Sequence, residues 1–232
     1  MIDWFKINGI SSHSHGLHVD TPAVPPMAHR RFSTYQTGAD EDGTYSDDTF
    51  EDITYNLTFY TLTRQDFDNT DIYAFLANPE TLEISRLTGY YYKIRQLALD
   101  NPENLFRGEK IRYKLNFKLA PFRYFAENSA IPLTVNGGTV KNNGTRYSKP
   151  TFEIVGTGDI SINVNGQKFE IKGLSDSQKI IIDTSKYITY SGSELFHNRT
   201  IGQYPFLNVG DNVISWGGNV KNVQISLNER CY

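Results

Sequence analysis

Ile53, Tyr55, Leu57 and Phe59 alternate with Thr54, Asn56, Thr58 and Tyr60, and the stretch Ile111–Leu119 alternates as strictly through Tyr113, Leu115, Phe117 and Leu119. A period of two puts one set of side chains on one face of a strand, whereas a helix needs its apolar residues three and four apart. These stretches therefore predict half-buried strands and exclude a helix bundle. The composition agrees: 15 Tyr, 14 Phe and 18 Gly favour strands and turns. One segment changes period. Between Gln65 and Asn78, Ile72, Phe75 and Leu76 fall at i, i+3 and i+4, Asp71 lies near the start, and Asn78-Pro79 forms a stop. This predicts one short amphipathic helix.

The remaining segments also read as strands. Ile2–Ile7 is a first strand, closed by Asn8-Gly9 as a turn; residues 10–31, broken by Pro22, Pro25 and Pro26, read as loop or edge. The acidic run from Asp40 to Asp48 reads as an exposed hairpin tip. Thr81–Ser85 and Tyr90–Arg95 are strands joined through Gly89. The composition shifts to Asn, Gly, Ser and Thr over residues 125–150. Short strands follow at Thr151–Val155, Ile160–Val164, Lys168–Ile171, Lys179–Asp183 and Ser191–Leu195, with Asn165-Gly166 as a hairpin signal. Near the C-terminus, Asn212–Trp216 is strand-like, Gly217-Gly218-Asn219 has turn chemistry, and Val223, Ile225 and Leu227 alternate. Turn signals every 8–12 residues predict a β-sandwich or jelly roll. We place the boundary within residues 125–132, dividing the chain into 1–128 and 129–232. The expected class is mainly β: an α+β N-terminal domain with one short helix and a C-terminal β-sandwich.

The 232 residues carry a net charge of −3, with a pI near 6.0. No basic field is present to grip nucleic acid. Cys231 is the single cysteine, so no disulfide forms within the chain, and a reducing compartment is expected. The N-terminus has no charged region followed by an apolar stretch, as a secretory signal would. The longest apolar runs, such as Ile180-Ile181-Ile182, are too short to span a bilayer.

Several clusters invite specific chemistry. His13 and His15 would share a strand face near His18, but Asp20 is the only nearby carboxylate, so a polar loop contacting a neighbour is the better reading than a metal site. An EF-hand alignment of the acidic run on Gly43 puts Gly38 at position one and Thr49 at position twelve, and neither fits. Asp40, Glu41, Asp42, Asp47 and Asp48 are instead candidates for a hairpin that contacts another subunit or a partner. The sequons at Asn56, Asn143 and Asn198 are coincidental in an Asn-rich chain, and Gly156-Thr157-Gly158 is a turn rather than a dinucleotide fingerprint. No nucleophile elbow, Cys–His pair or Walker motif is present, so no enzyme and no cofactor are expected. Trp216 and Tyr147, together with Tyr187, Tyr190 and Tyr204, could stack on sugars; strand-face packing is the competing account of them.

Three regions resemble the distal tail proteins of long-tailed phages: Arg30-Arg31-Phe32 leading to Phe50-Glu51-Asp52-Ile53, then Phe117-Lys118-Leu119-Ala120-Pro121-Phe122-Arg123-Tyr124, and then the C-terminal half from Gly144 through Phe152–Gly158 to Tyr204–Gly218. Their order and separation carry the resemblance across most of the chain. It implies a ring-forming N-terminal domain that assembles as a homo-hexamer, with a galectin-like sandwich carried outside the ring. It implies a place at the virion tail tip, assembled in the host bacterial cytoplasm. The implied partners are the tail-tube protein, a tail-tip protein and a receptor-binding protein, with DNA passing through unbound. The chain is short for the family, so the long sugar-binding insertions of larger relatives are not expected. Two functions compete: a structural tail-tip hub, and a carbohydrate-binding module in which the C-terminal sandwich recognises a cell-surface glycan.

Overall fold

The computed structural model describes residues 3–20, 22–38, 41–61, 69–105 and 110–232. The fold is mainly β and divides into two compact units, one of residues 1–123 with Tyr232 and one of residues 124–231.

The first unit contains β1 (Phe5–Ile7), β2 (Ile10–Ser11), β3 (His18–Val19), β4 (Ser33–Tyr35), β5 (Gly43–Tyr45), β6 (Ile53–Thr61), α1 (Asn69–Leu76), β7 (Thr81–Ile84), β8 (Tyr90–Leu99), β9 (Glu103–Leu105) and most of β10 (Lys110–Phe125). Its main sheet runs β2-β1-β7-β8-β10-β6-β3, with β9 also on β10. The alternation fixes the register of the central pair. Tyr113 faces Phe59, Leu115 faces Leu57, Phe117 faces Tyr55 and Leu119 faces Ile53, so these four buried residues of β6 each meet a buried partner on β10. The rings of Phe59 and Tyr113 stack at 5.0 Å. Ile72 and Leu76 of α1 join this core, with Phe75 packed against it. The expected helix is therefore present from Asn69 onward, while its expected start at Gln65 lies outside the described residues. Asn8 and Gly9 both have positive φ, +51° and +79°, and join β1 to β2 with Ile7 opposite Ile10, as a two-residue type I′ hairpin requires.

The region between residues 10 and 31, expected as loop or edge, contains the edge strands β2 and β3 and a 3-10 turn, Ser12–His15. His13 and His15 sit in that turn and not on a strand face. A short polar run with Gly16 in the left-handed region at φ +63° closes a tight turn more readily than it extends.

The second unit contains β11 (Ile131–Pro132), β12 (Gly138–Asn142), β13 (Thr151–Val164), β14 (Gln167–Asp183), β15 (Ile188–Ser191), β16 (Glu194–Leu195), β17 (Thr200–Ile201), β18 (Gly210–Ser226) and β19 (Arg230–Cys231). Here the sequence reading needs correction. Three pairs of short strands prove to be three long ones, β13, β14 and β18. The glycines that looked like turns are bends within them. The register between β13 and β14 shifts around Gly158, and that between β13 and β18 shifts between Thr157 and Ile160. Gly158, Gly173 and Gly218 have φ of +69°, +67° and +88°. Positive φ serves a bulge as well as a chain reversal, so Gly217-Gly218-Asn219 bends β18 without ending it.

The bends build the layers. On one side of them β11 pairs with the far end of β18, and β15 with the far end of β14; on the other, β12 and β17 pair with the near ends of the same strands. One sheet thus folds over on itself, enclosing Phe152, Ile162, Phe169, Ile182, Ile214 and Val223 as a sandwich does. Asn165 and Gly166, at φ +52° and +89°, form the expected hairpin between Val164 and Gln167. No described helix is long and apolar enough to cross a membrane.

Candidate functional site: binding surfaces of the two units

Among the described residues of the first unit, the most exposed aromatic side chains gather around one element. β4 and β5 form a separate two-stranded sheet, pairing Ser33 with Tyr45 and Tyr35 with Gly43. Phe32, Tyr35 and Tyr45 are 62%, 57% and 63% exposed. A lone hairpin is marginal in water, and apolar rings displayed on one mark a contact surface. The Tyr35 ring lies over Gly43, where a Cβ would push it aside.

The acidic residues expected to form one contact hairpin separate. Glu41 and Asp42 are exposed at the hairpin tip, and Asp40 lies outside the described residues. Asp47 and Asp48 follow β5, at the hairpin's base. Asp48 pairs with Arg30 at 3.3 Å. Asp47 accepts from the Thr49 hydroxyl at 2.6 Å and the Thr49 amide at 3.0 Å, and these bonds hold its carboxyl below the usual carboxylate range. Both residues are thus committed to local turn structure. A second surface of this unit is the outer edge of β6. It is paired by β3 only at Phe59 and Tyr60, so Ile53–Leu57 has no outer strand neighbour among the described residues. The segment after β3 passes this edge without forming a strand: Asp20 N donates to Thr58 O, Tyr55 Oη to Ala23 O and Glu51 N to His29 O. The histidines are occupied separately: His13 Nε2 lies 3.1 Å from the Asp3 carbonyl, His15 packs on Phe75, and His18 stacks on Tyr60.

In the second unit the aromatic residues named from the sequence also separate. Tyr147, Tyr187 and Tyr204 converge with Phe206 and Lys149 around an open cleft of about 210 Å³. Trp216 lines a different cleft beside Leu133 and Val220, is packed against the core, and has both its backbone groups bonded to Asn136 at 2.8 Å. Tyr190 is half-buried on β15 opposite Ile181. Sequence reasoning missed Lys149 and Phe206 as parts of this site. They come from segments distant from Tyr187, and only the fold brings them together.

Asparagines hold the loops around the cleft. Asn142 donates to the carbonyls of Arg146 and Leu207, at 3.0 and 3.3 Å. Asn228 donates to Lys149 O and Thr151 Oγ1, at 2.9 and 3.1 Å. Elsewhere on this unit, Glu170 lies 2.7 Å from Lys168 and 2.9 Å from Lys172. Hydrogen bonds from these ammonium groups, Lys168 first, pull its carboxyl down to about 2.

No family model matches the chain, and no curated protein matches it. Among solved structures, the chain is similar to the crystal structure of the SPP1 Dit (gp 19.1) protein, described there as a paradigm of the hub adsorption apparatus in phages that infect Gram-positive bacteria. The TM-score is 0.67 at 10% identity, and the match covers 99% of each chain. Both units, in their order, thus have the fold of a Dit-like phage tail protein.

Proposed function

We propose that this chain is a structural hub of a phage tail tip, acting without catalysis. In this reading residues 1–128 close a homo-hexameric ring and residues 129–232 form a galectin-like sandwich carried outside it. The ring joins the tail tube to the tip and receptor-binding proteins, and DNA passes through its hole. The observation that carries the reading is likeness along the whole chain: 99% of both chains align with a hub protein of the same extent. A surface of the first unit supports it. An arm bearing exposed Phe32, Tyr35 and Tyr45 is a feature that a second copy of the chain would cover. A net charge of −3 suits a conduit from which DNA slips freely.

Light scattering together with negative-stain imaging tests this. Six 26.4 kDa chains in rings with a central hole are expected, alone or on addition of purified tail tubes. The triple variant Phe32→Ser, Tyr35→Ser, Tyr45→Ser should keep its circular dichroism and lose the ring. A wild-type chain that stays monomeric alone and ignores tail tubes would overturn the reading.

A further inference from the structure

The cleft of the second unit has features that a passive scaffold does not need. Tyr187 is 54% exposed and sits at φ +56°. A bulky residue in the left-handed region is strained, and such strain gathers at ligand sites. From the turn between β14 and β15 the Tyr187 ring stands edge-on to Tyr204, at 5.7 Å and 84°. Tyr147 and Phe206 make a second edge-on pair, at 5.5 Å and 66°. The cleft is therefore walled by aromatic rings at fixed angles. Its lining is mostly aromatic, and its hydroxyls are at least partly committed: Tyr204 Oη lies 3.3 Å from Thr189 Oγ1, and Thr184 Oγ1 donates to the Pro150 carbonyl at 2.7 Å.

Lys149 is the one charged residue lining the cleft. Its ammonium donates to Tyr187 Oη at 2.8 Å and lies 4.5 Å from the centre of that ring. No carboxylate lines the site to neutralise it. A volume of about 210 Å³ is below the ~300–1,000 Å³ of a drug-sized pocket and suits a ligand of about one ring. A ring with an apolar C–H face and a negative substituent matches the lining.

We propose that this cleft binds a single pyranose ring bearing an anionic group, the residue of an acidic polysaccharide. The C–H face of the sugar lies on Tyr187 and Tyr204, and Lys149 supplies the counter-charge. Ring assembly and sugar binding draw on different units of the chain, so this site stands or falls independently of the hub reading.

The test is a glycan array carrying hexuronates, sialosides and glycerol-phosphate-substituted sugars beside their neutral counterparts, probed with the full chain. Retention of acidic glycans over neutral ones is expected. Tyr187→Asn removes the ring at a position where Asn tolerates positive φ, so the protein folds, with an unchanged or raised melting temperature. Its binding should weaken by about tenfold or more, the upper range for one aromatic wall. Lys149→Gln should bring acidic and neutral glycans toward equal retention. An array that retains no acidic glycan overturns the proposal. So does a folded Tyr187→Asn chain that binds as the wild type does.

Discussion

Asn212 has no exposed surface and no spare hydrogen-bonding capacity. Its amide donates to the carbonyls of Asn208 and Gly210, at 2.9 and 2.8 Å, and its oxygen accepts from Asn208 N and Asn165 Nδ2, at 2.8 and 2.7 Å. Asn212→Ala leaves those groups buried and unpaired, and should cost about 2–4 kcal/mol in chemical denaturation. The more exposed Asn136→Ala should cost about 1 kcal/mol or less. Glu170 makes a prediction about pH. Its folded pKa, about 2, is depressed from 4.5, so its pairing contributes stability above pH 4.5 that is lost as the pH falls through about 2. Glu170→Gln should therefore be less stable than the parent at pH 7, by a small margin that 1 M salt erases, and the two proteins should converge near pH 2. Asparagine abundance was visible in the sequence and pointed to turns. That Asn142, Asn212 and Asn228 would tie separate loops together was not, because their partners lie up to 100 positions away.

Elements were legible where one face is buried and the other solvated. β6 and β10 announced themselves through alternation, and both Asn-Gly hairpins through their dipeptides. The long strands of the second unit were not legible. A glycine that reverses the chain and a glycine that bends a strand have the same local signature, and only the pairing partner separates them. The difference is measurable. A Cβ at Gly166 meets open space, whereas one at Gly218 would run into the Asp159 carbonyl. Gly166→Ala should cost about 1–2 kcal/mol for its positive φ, and Gly218→Ala about 3 kcal/mol or more, as read by denaturant midpoints at constant slope. A similar blindness affected the aromatic residues. Trp216 drew attention as a large ring beside glycines, yet it packs on the core, while Tyr187, set in the polar Thr184-Ser185-Lys186 turn, is the ring left standing in solvent.

At the scale of the whole molecule, the order of parts was readable because the resemblance rested on three spaced regions and not on one motif. The proposed contact arm was less readable, since exposure of Phe32, Tyr35 and Tyr45 depends on β4 and β5 pairing only with each other. The bent strands carry one further consequence, for how the protein is made. β13 and β14 are joined by a two-residue turn and can pair as soon as they leave the ribosome. β18, which covers the other edge of β13 along most of its length, begins 46 residues after β13 ends. Throughout that interval of synthesis, one backbone edge of β13 stays unpaired. Until Ser226 has been added, the nascent second unit carries an edge that another chain could pair with.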